Sequence, residues 1–287
     1  QVVTARARGD EVVVVSSGAI ARGAATLGLE RRPTAIEDLQ AASAVGQGRL
    51  YRVYDELFDA HGVRAAQVLL TSFDLGHRSH YLNARRTLRR LLDWGVVPVV
   101  NENDTVSIDE LKFGDNDQLA AMVATLIGAD LLVLLTDVEG LLDPQGDRAS
   151  VVTDMAEAMA WVKPPTDDVG LGGMGSKMES ARRATLHGVP VVIGDARDEG
   201  LLSKVLAGDD VGTLFVPPEN RLTSKKHWIA FTLKPRGTIL VDRGAARVIA
   251  GGKASLLPSG VVGVRGDFDA GDAVRIVDLD DREIARG

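Results

Sequence analysis

Residues 97–119, VPVVNENDTVSIDELKFGDNDQL, pass from a β-branched apolar run into two clusters of carboxylates and carboxamides. The first cluster covers residues 101–104, and the second covers residues 114–117 and begins with a glycine. This pattern predicts a buried strand, then a polar loop, then a helix. In open α/β sheets ligands bind beyond the carboxyl ends of the strands, because the flanking helices leave that edge uncovered. The alternative is an ordinary surface loop, since Asn, Asp and Gly are also turn residues.

The side chains of the two clusters suit a small polar ligand. A carboxylate can bind an ammonium group or a metal ion, and a carboxamide both donates and accepts hydrogen bonds. Together the two groups can bind both charged ends of an amino acid.

Two other apolar runs also end in small or polar residues. EVVVV at residues 11–15 runs into SSGA, and DLLVLL at residues 130–135 runs into Thr136 and Asp137. Helical patterns separate the runs, and the long pattern over residues 39–58 predicts a core or subunit contact. Strands that alternate with helices predict an α/β fold, a three-layer αβα sandwich around a mostly parallel sheet.

A glycine-rich segment, VGLGGMGSK at residues 169–177, precedes a helix predicted over residues 178–187. It matches the dinucleotide pattern G-x-G-x-x-G, but no strand leads into it, and its Gly-Ser-Lys order does not match a Walker A loop. A mobile glycine loop with Lys177 at a helix start could cover phosphates and place a cation on them. A flexible surface loop is the alternative.

Composition excludes several kinds of site and surface. The 287 residues include no cysteine, which excludes disulfides, thiolate zinc sites and cysteine nucleophiles. The formal charge of −7 argues against a polyanion-binding surface over the whole chain. No apolar stretch approaches the roughly 20 residues that span a bilayer, and no signal peptide is visible, so we expect a cytoplasmic protein with no membrane contact.

The last part of the chain differs from the rest. Residues 223–287 carry 11 Lys and Arg against 8 Asp and Glu, so this part is locally basic. Residues 223–235 read as a linker, and short strands follow between Gly, Asp and Pro turns, one of them at Val248–Ala250. This spacing predicts a small all-β barrel or sandwich over residues 236–287.

Several motifs occur in order along the chain: VVVVSSGAIARG at 12–23, PVVNENDTV at 98–106, KFGDNDQLAA at 112–121, LLTDVEGL at 134–141 and GGMGSK at 172–177. With them, the chain resembles the amino-acid kinase family, in the branch that phosphorylates glutamate and carries a C-terminal PUA domain. The resemblance covers nearly the whole chain. It implies a kinase domain over residues 1–222, a linker over 223–235 and a PUA domain over 236–287.

The resemblance also implies a reaction. ATP, brought with Mg²⁺, would phosphorylate the side-chain carboxylate of L-glutamate to L-glutamyl 5-phosphate, at the entry to proline biosynthesis. Proline would act as a feedback inhibitor, and the protein would form a homo-oligomer, a dimer or a tetramer. The resemblance assigns no metal ligands.

Site residues follow from the same resemblance. The glutamate and phosphoryl site would be bordered by Ser17 and Gly18, and the amino acid would be held by Asn101, Asp104, Asp115 and Asn116. The nucleotide would meet Thr136 and Asp137, together with a loop of Gly172, Gly173, Met174, Gly175, Ser176 and Lys177. Lys177 would stabilise charge on the moving phosphoryl group, and Asp117 would position Lys177.

The sequence departs from the family in two places. The family begins with a strand that carries a lysine and a small phosphate loop, and nothing before Val12 matches it. We therefore expect an N-terminal strand to be missing from this sequence and the PUA domain to stop early at Gly287. The glycine loop has Leu171 where the family usually has Thr or Ser.

Two other functions compete with this one. A sister amino-acid kinase, acting on acetylglutamate, aspartate or carbamate, would keep the sheet and the glycine loop. An RNA-binding protein is the alternative from another class, since PUA modules elsewhere bind RNA and this one is locally basic. Phe268 is the only Phe, Tyr or Trp residue in 236–287 that could stack on a base, which disfavours RNA binding as the main function.

Overall fold

A computed structural model of the chain describes residues 1–107, 116–162, 173–218, 235–252, 255–269 and 272–287. These residues form two compact units, Gln1–Arg221 and Leu222–Gly287. The helices of the first unit are α1 (Val2–Ala7), α2 (Ala19–Thr26), α3 (Ile36–Asp59), α4 (Ser72–Gly76), α5 (Arg78–Asp93), α6 (Asp117–Ile127), α7 (Met155–Trp161), α8 (Met174–Leu186) and α9 (Leu201–Ala207). Its strands are β1 (Val14–Val15), β2 (Ala65–Leu70), β3 (Val97–Glu102), β4 (Leu132–Thr136), β5 (Val151–Val152), β6 (Val191–Asp195) and β7 (Thr213–Phe215). Among the described helices, none is both long enough and apolar enough to cross a membrane.

The strands of the first unit form two ladders that are mostly parallel. The first has the order β1-β3-β2, and both of its pairings are parallel. The second has the order β4-β6-β7-β5, in which only the β6–β7 pairing is antiparallel. The predicted α/β architecture with a mostly parallel sheet is confirmed.

Strand β3 is the buried centre of the first ladder. All six of its residues are buried, and Val97 and Val100 have no exposed surface. A parallel strand that is covered on both faces is expected to be a continuous apolar run, which explains the composition VPVV. The polar residues Asn101 and Glu102 continue the strand, so the first polar cluster begins inside the sheet.

Helices α6 and α8 pack together against the second ladder. Their contact is built largely from small side chains, with Ala121 on α6 and Ala181 and Ala184 on α8 almost fully buried. Small side chains let two helices approach closely. The first turns of the two helices, which carry Asp117 and Lys177, therefore lie close to each other.

Helix α8 begins earlier than the sequence indicates. We predicted a helix from residue 178 after a glycine loop, whereas the structure has the helix from Met174 with Gly173 as its N-terminal cap. Gly175 and Lys177 are therefore part of the first turn rather than of a loop. Residues 174–186 bury one face against the core, and this burial outweighs the low helix propensity of one glycine.

Helices α2 and α3 touch through their backbones. A Cβ atom on Gly23 would lie 1.7 Å from the Ala42 carbonyl oxygen, and one on Gly46 would lie 1.9 Å from the Ala19 carbonyl oxygen. Real side chains do not fit at these distances, so both positions require glycine. This contact fixes the distance of α3 from the loop after β1.

The second unit is a four-stranded sheet with one helix. Its strands are β8 (Gly237–Val241), β9 (Val261–Gly266), β10 (Val274–Val277) and β11 (Glu283–Arg286), in the order β11-β10-β8-β9. The strand predicted at Val248–Ala250 is wrong, because these residues end a helix, α10 (Arg243–Ala250). Asp242 caps this helix by accepting a hydrogen bond from the Ala245 N–H over 2.7 Å, a signal that is local to the sequence.

The contact between α2 and α3 predicts that alanine substitutions at two glycines of α3 have opposite effects on stability. Gly46→Ala should lower the free energy of unfolding by about 1–3 kcal/mol, because the added methyl group overlaps the Ala19 carbonyl. Gly48→Ala should raise it by about 0.5–1 kcal/mol, because alanine favours a helix. No atom of the described residues lies within 4 Å of a Cβ atom at Gly48. Urea unfolding of both variants measures the difference, and equal effects would contradict the backbone contact.

Candidate active site

The carboxyl ends of β1 and β3 lie side by side. Val15 pairs with Val100 across the two parallel strands, and the Ser16 N–H donates to the Val100 carbonyl oxygen over 2.9 Å. The residues at the carboxyl ends of the two strands, from Ser16 and from Asn101 onward, are therefore neighbours at one edge of the sheet. The sequence predicted that polar residues would gather at this edge.

Two carboxamide side chains join these strand ends to the start of α6. Asn116 Nδ2 donates to the Ser16 carbonyl oxygen and, over 2.5 Å, to Asn101 Oδ1. Asn101 Oδ1 also accepts from the Glu102 backbone N–H over 2.9 Å. A backbone N–H can only donate and a backbone carbonyl can only accept, so these two ends fix the orientation of both amides. Both hydrogens of Asn116 Nδ2 are used in these two bonds, and its Oδ1 atom accepts no hydrogen bond from the described residues.

Side chains of helix α3 form hydrogen bonds with two residues of the first polar cluster, Asn101 and Asp104. Ser43 Oγ donates to Asp104 Oδ2 over 2.7 Å, and Gln47 Oε1 accepts from Asn101 Nδ2 over 2.6 Å. Ser43 and Gln47 are four residues apart and therefore lie on one face of the helix. Helix α3 thus holds both a carboxylate and a carboxamide of the first polar cluster.

Two further side chains of α3 hold the neighbouring loops. The Tyr54 hydroxyl and Ser16 Oγ share a hydrogen bond of 2.9 Å, and Gln40 Nε2 donates to the Ser107 carbonyl oxygen over 3.2 Å. We call Gln40, Ser43, Gln47 and Tyr54 the α3 polar stripe. The sequence does not indicate the role of this stripe, because a helical pattern rich in apolar residues indicates core packing. The available signal was the spacing of three, four and seven residues between the polar members.

Asp104 is a partly buried carboxylate. Burial raises the pKa of the Asp104 carboxyl above its ordinary value of 3.8, although the Ser43 hydrogen bond and the charge of Arg32 lower it in part. A cation that bound Asp104 would relieve the cost of burying its negative charge. This environment favours a positively charged ligand group.

Lys177 and Asp117 form an ion pair between α8 and α6. The Lys177 Nζ atom lies 2.8 Å from Asp117 Oδ2, and the two side chains are 11% and 14% exposed. A charge pair with so little solvent contact is held in one geometry by the packed helices around it. The predicted pairing of these two residues is present, and Asn116, next to Asp117, joins the pair to the amide network.

The start of α8 adds backbone donors. The first N–H groups of a helix have no partner within the helix, and with the helix dipole they can bind an anion such as a phosphate. A side chain added at Gly173 would meet no atom of the described residues within 4 Å. Ser176 belongs to the same turn. Gly172, which was assigned to this group, lies outside the described residues.

Thr136 and Asp137 lie at the carboxyl end of the second ladder. Thr136 pairs in register with Asp195 at the end of β6, and its carbonyl oxygen accepts from the Ala196 N–H over 2.7 Å. Arg197 contacts Asp195 through a 2.8 Å ion pair and donates to the Asp137 carbonyl oxygen over 2.5 Å. Arg197 was missed in the sequence analysis, since no local pattern links it to Asp137.

Ser17 and Gly18 form the turn between β1 and α2. Gly18 caps α2 with φ of 102°, a conformation that favours glycine, and both residues are exposed. The N–H groups at the start of α2 are thus close to the strand end that carries Ser16. Asp115, the remaining residue assigned to the amino acid, lies outside the described residues.

Comparison with known families gives two matches. The model of the amino acid kinase family matches residues 1–195, and the model of the PUA domain matches residues 237–287. The two matches cover most of the chain.

Curated relatives match this chain over nearly its whole length and span a longer sequence themselves. A glutamate 5-kinase of Myxococcus xanthus is 52% identical over 288 residues, covering 98% of this chain and 76% of the relative. Glutamate 5-kinases of Syntrophotalea carbinolica and Geobacter sulfurreducens are each 47% identical, covering 98% and 100% of this chain and 77% and 79% of the relatives.

The raised pKa of Asp104 predicts how stability depends on pH. The folded protein holds the Asp104 proton more tightly than the unfolded chain, so stability is lost as pH rises from 3.8 through the higher folded pKa. Asp104→Asn removes the buried charge and should therefore raise the free energy of unfolding at pH 7. The gain should shrink as pH is lowered toward 3.8. Thermal unfolding at several pH values measures it.

Asp130→Asn is the matched control, because Asp130 is exposed and should change stability little. An Asp104→Asn variant that is less stable than the unmodified protein at pH 7 would contradict the environment assigned to Asp104.

Proposed function

We propose that this chain, which belongs to the amino acid kinase family and within it to the glutamate 5-kinases, phosphorylates L-glutamate. The γ-phosphoryl group of ATP is transferred to the side-chain carboxylate. The product is L-glutamyl 5-phosphate, and the reaction opens proline biosynthesis.

The observation that carries the substrate assignment is the start of α6. Asn116 Oδ1 and the partly buried Asp104 are acceptors at the end of β3, a combination suited to the ammonium group of an amino acid. The next residue, Asp117, holds Lys177 at 2.8 Å. In this proposal, Asn116 binds the amino acid and the adjacent Asp117 holds the lysine that stabilises phosphoryl charge.

The chemistry of the reaction fits these groups. The glutamate side chain has a pKa of about 4.3 and is ionised at pH 7, so it can attack phosphorus without a general base. Phosphoryl transfer needs alignment of the reactants and stabilisation of charge on the transferred group. In this proposal Asn116 and Asp104 align the amino acid, Asp117 positions Lys177, and the Lys177 ammonium group stabilises the charge.

The remaining assigned residues fit a nucleotide. The backbone at Gly173 and the first turn of α8 suit phosphate oxygens, and the strand end at Thr136 and Asp137 would meet the nucleoside. Residues 172–177 would cover the phosphates, and Ser17 and Gly18 would border the transferred group. Mg²⁺, when bound with ATP, would neutralise phosphate charge while keeping much of its water.

Partners follow from the same chemistry. Proline carries an amine and an α-carboxylate like those of glutamate, so in this proposal it inhibits by competing for Asp104 and Asn116. The protein acts in the cytoplasm as a homo-oligomer.

RNA binding by the PUA domain remains a second candidate function, and salt-sensitive binding of RNA by the full chain would support it.

The test of the reaction is ATP-dependent acyl phosphate formation, trapped with hydroxylamine. The full-length natural chain should turn over L-glutamate and leave L-aspartate and N-acetylglutamate largely unused. Turnover of one of these other acids in place of glutamate would support a sister kinase and overturn the substrate assignment. No turnover of any of the three would contradict the proposed reaction.

Lys177 gives a second prediction. Lys177→Met should lower kcat by about 10²–10³-fold, the range found when one charge-stabilising donor is removed, with little change in the KM for ATP. Removal of one partner of a buried ion pair can also destabilise the fold. The double variant Lys177→Met/Asp117→Asn removes both charges and leaves no unpaired buried charge. Its kcat therefore reports the loss of Lys177 without this source of instability. A folded double variant with kcat within a few-fold of the unmodified protein would contradict the role of Lys177.

A further inference from the structure

The Asn101 side chain is poorly placed to touch a ligand. The residue is 2% exposed, and its Oδ1 atom accepts two hydrogen bonds, from Asn116 and from the Glu102 N–H. Its Nδ2 atom donates to Gln47. Three protein groups thus hydrogen bond to the oxygen and nitrogen of this amide. Asn101 is therefore placed to orient other side chains rather than to bind a ligand itself.

Asn101 can affect a ligand through Asn116, to which it is hydrogen bonded. Its two N–H groups are donated to Ser16 and Asn101, so its carbonyl oxygen is turned away from them. A carbonyl oxygen can accept from an ammonium group, whereas a rotated amide would present an NH₂ group and repel it. The preference of the site for an ammonium group therefore depends on the orientation of Asn116, which Asn101 helps to fix.

Gln47 holds the other end of Asn101. Its Oε1 atom lies 2.6 Å from Asn101 Nδ2, and α3 is fixed in place by its backbone contact with α2. Without this acceptor, the donor of an almost fully buried amide would lose a partner, which is costly and favours a different side-chain arrangement. Loss of Gln47 should therefore disturb Asn101 and, through it, Asn116.

We propose that Gln47 is a positioning residue that sets the selectivity of the site for the substrate ammonium group. It acts through the buried Asn101 amide on the carbonyl oxygen of Asn116. The inference rests on the proposed function, because it takes the α-ammonium group of L-glutamate as the group that Asn116 binds.

The test compares L-glutamate with glutarate, which has both carboxylates and no amino group. In the full-length natural chain, Gln47→Met should raise the KM for glutamate by about tenfold, while the inhibition constant of glutarate and the KM for ATP change by less than about twofold. Gln47→Glu retains an acceptor at the same place and should keep most of the affinity for glutamate. Arg49→Met, on the exposed side of the same helix, is the matched control and should change neither constant.

A double-mutant cycle tests whether Gln47 acts through Asn101. In an Asn101→Ala background, Gln47→Met should change the KM for glutamate by less than about twofold, because the residue through which it acts is already gone. Equal effects on glutamate and glutarate, or an undiminished effect of Gln47→Met in that background, would overturn the inference. If the unmodified chain uses glutamate but Gln47→Met keeps its KM, this inference alone fails. If the unmodified chain does not use glutamate, the proposed function fails and the inference with it.

Discussion

The hydrogen bonds of Asn116 are the constraint on which the site depends. They tie the start of α6 to the ends of two parallel strands, through the Ser16 carbonyl oxygen and the Asn101 side chain. Because α6 begins there, the next residue, Asp117, meets Lys177 at a fixed distance of 2.8 Å. A buried polar network of this kind is stable only when its members are paired, so a change at one member is expected to affect the others.

Much of the fold could be predicted from the sequence, because its signals are local. The apolar run VPVV is buried in strand β3 and is followed by polar residues at a sheet edge. Of the run EVVVV, only Val14 and Val15 form a strand, β1, and both residues are partly buried. The pairing of Asp117 with Lys177 was also expected, although from the resemblance to a family. The spacing of 60 residues between them carries no local signal.

Other features could not be predicted because they arise from tertiary contacts. The sequence indicates Gln47 and Ser43 only as part of a packing helix. Their hydrogen bonds, to Asn101 at the end of β3 and to Asp104 after it, exist because α2 brings α3 close. The early start of α8 depends on the burial of residues 174–186 against α6, which outweighs a glycine in the first turn. Arg197 joins two strand ends that are about 60 residues apart in sequence, at Asp137 and Asp195.

The most direct test is a crystal structure of the protein with L-glutamate bound. The account predicts that the ammonium nitrogen lies about 3 Å from Asn116 Oδ1 and from a carboxylate oxygen of Asp104. It also predicts that Asn101 keeps its hydrogen bonds to Gln47 and Asn116 and does not touch the ligand. A glutamate molecule bound away from the ends of β1 and β3, or bound there with its ammonium group on Asn101, would contradict the account.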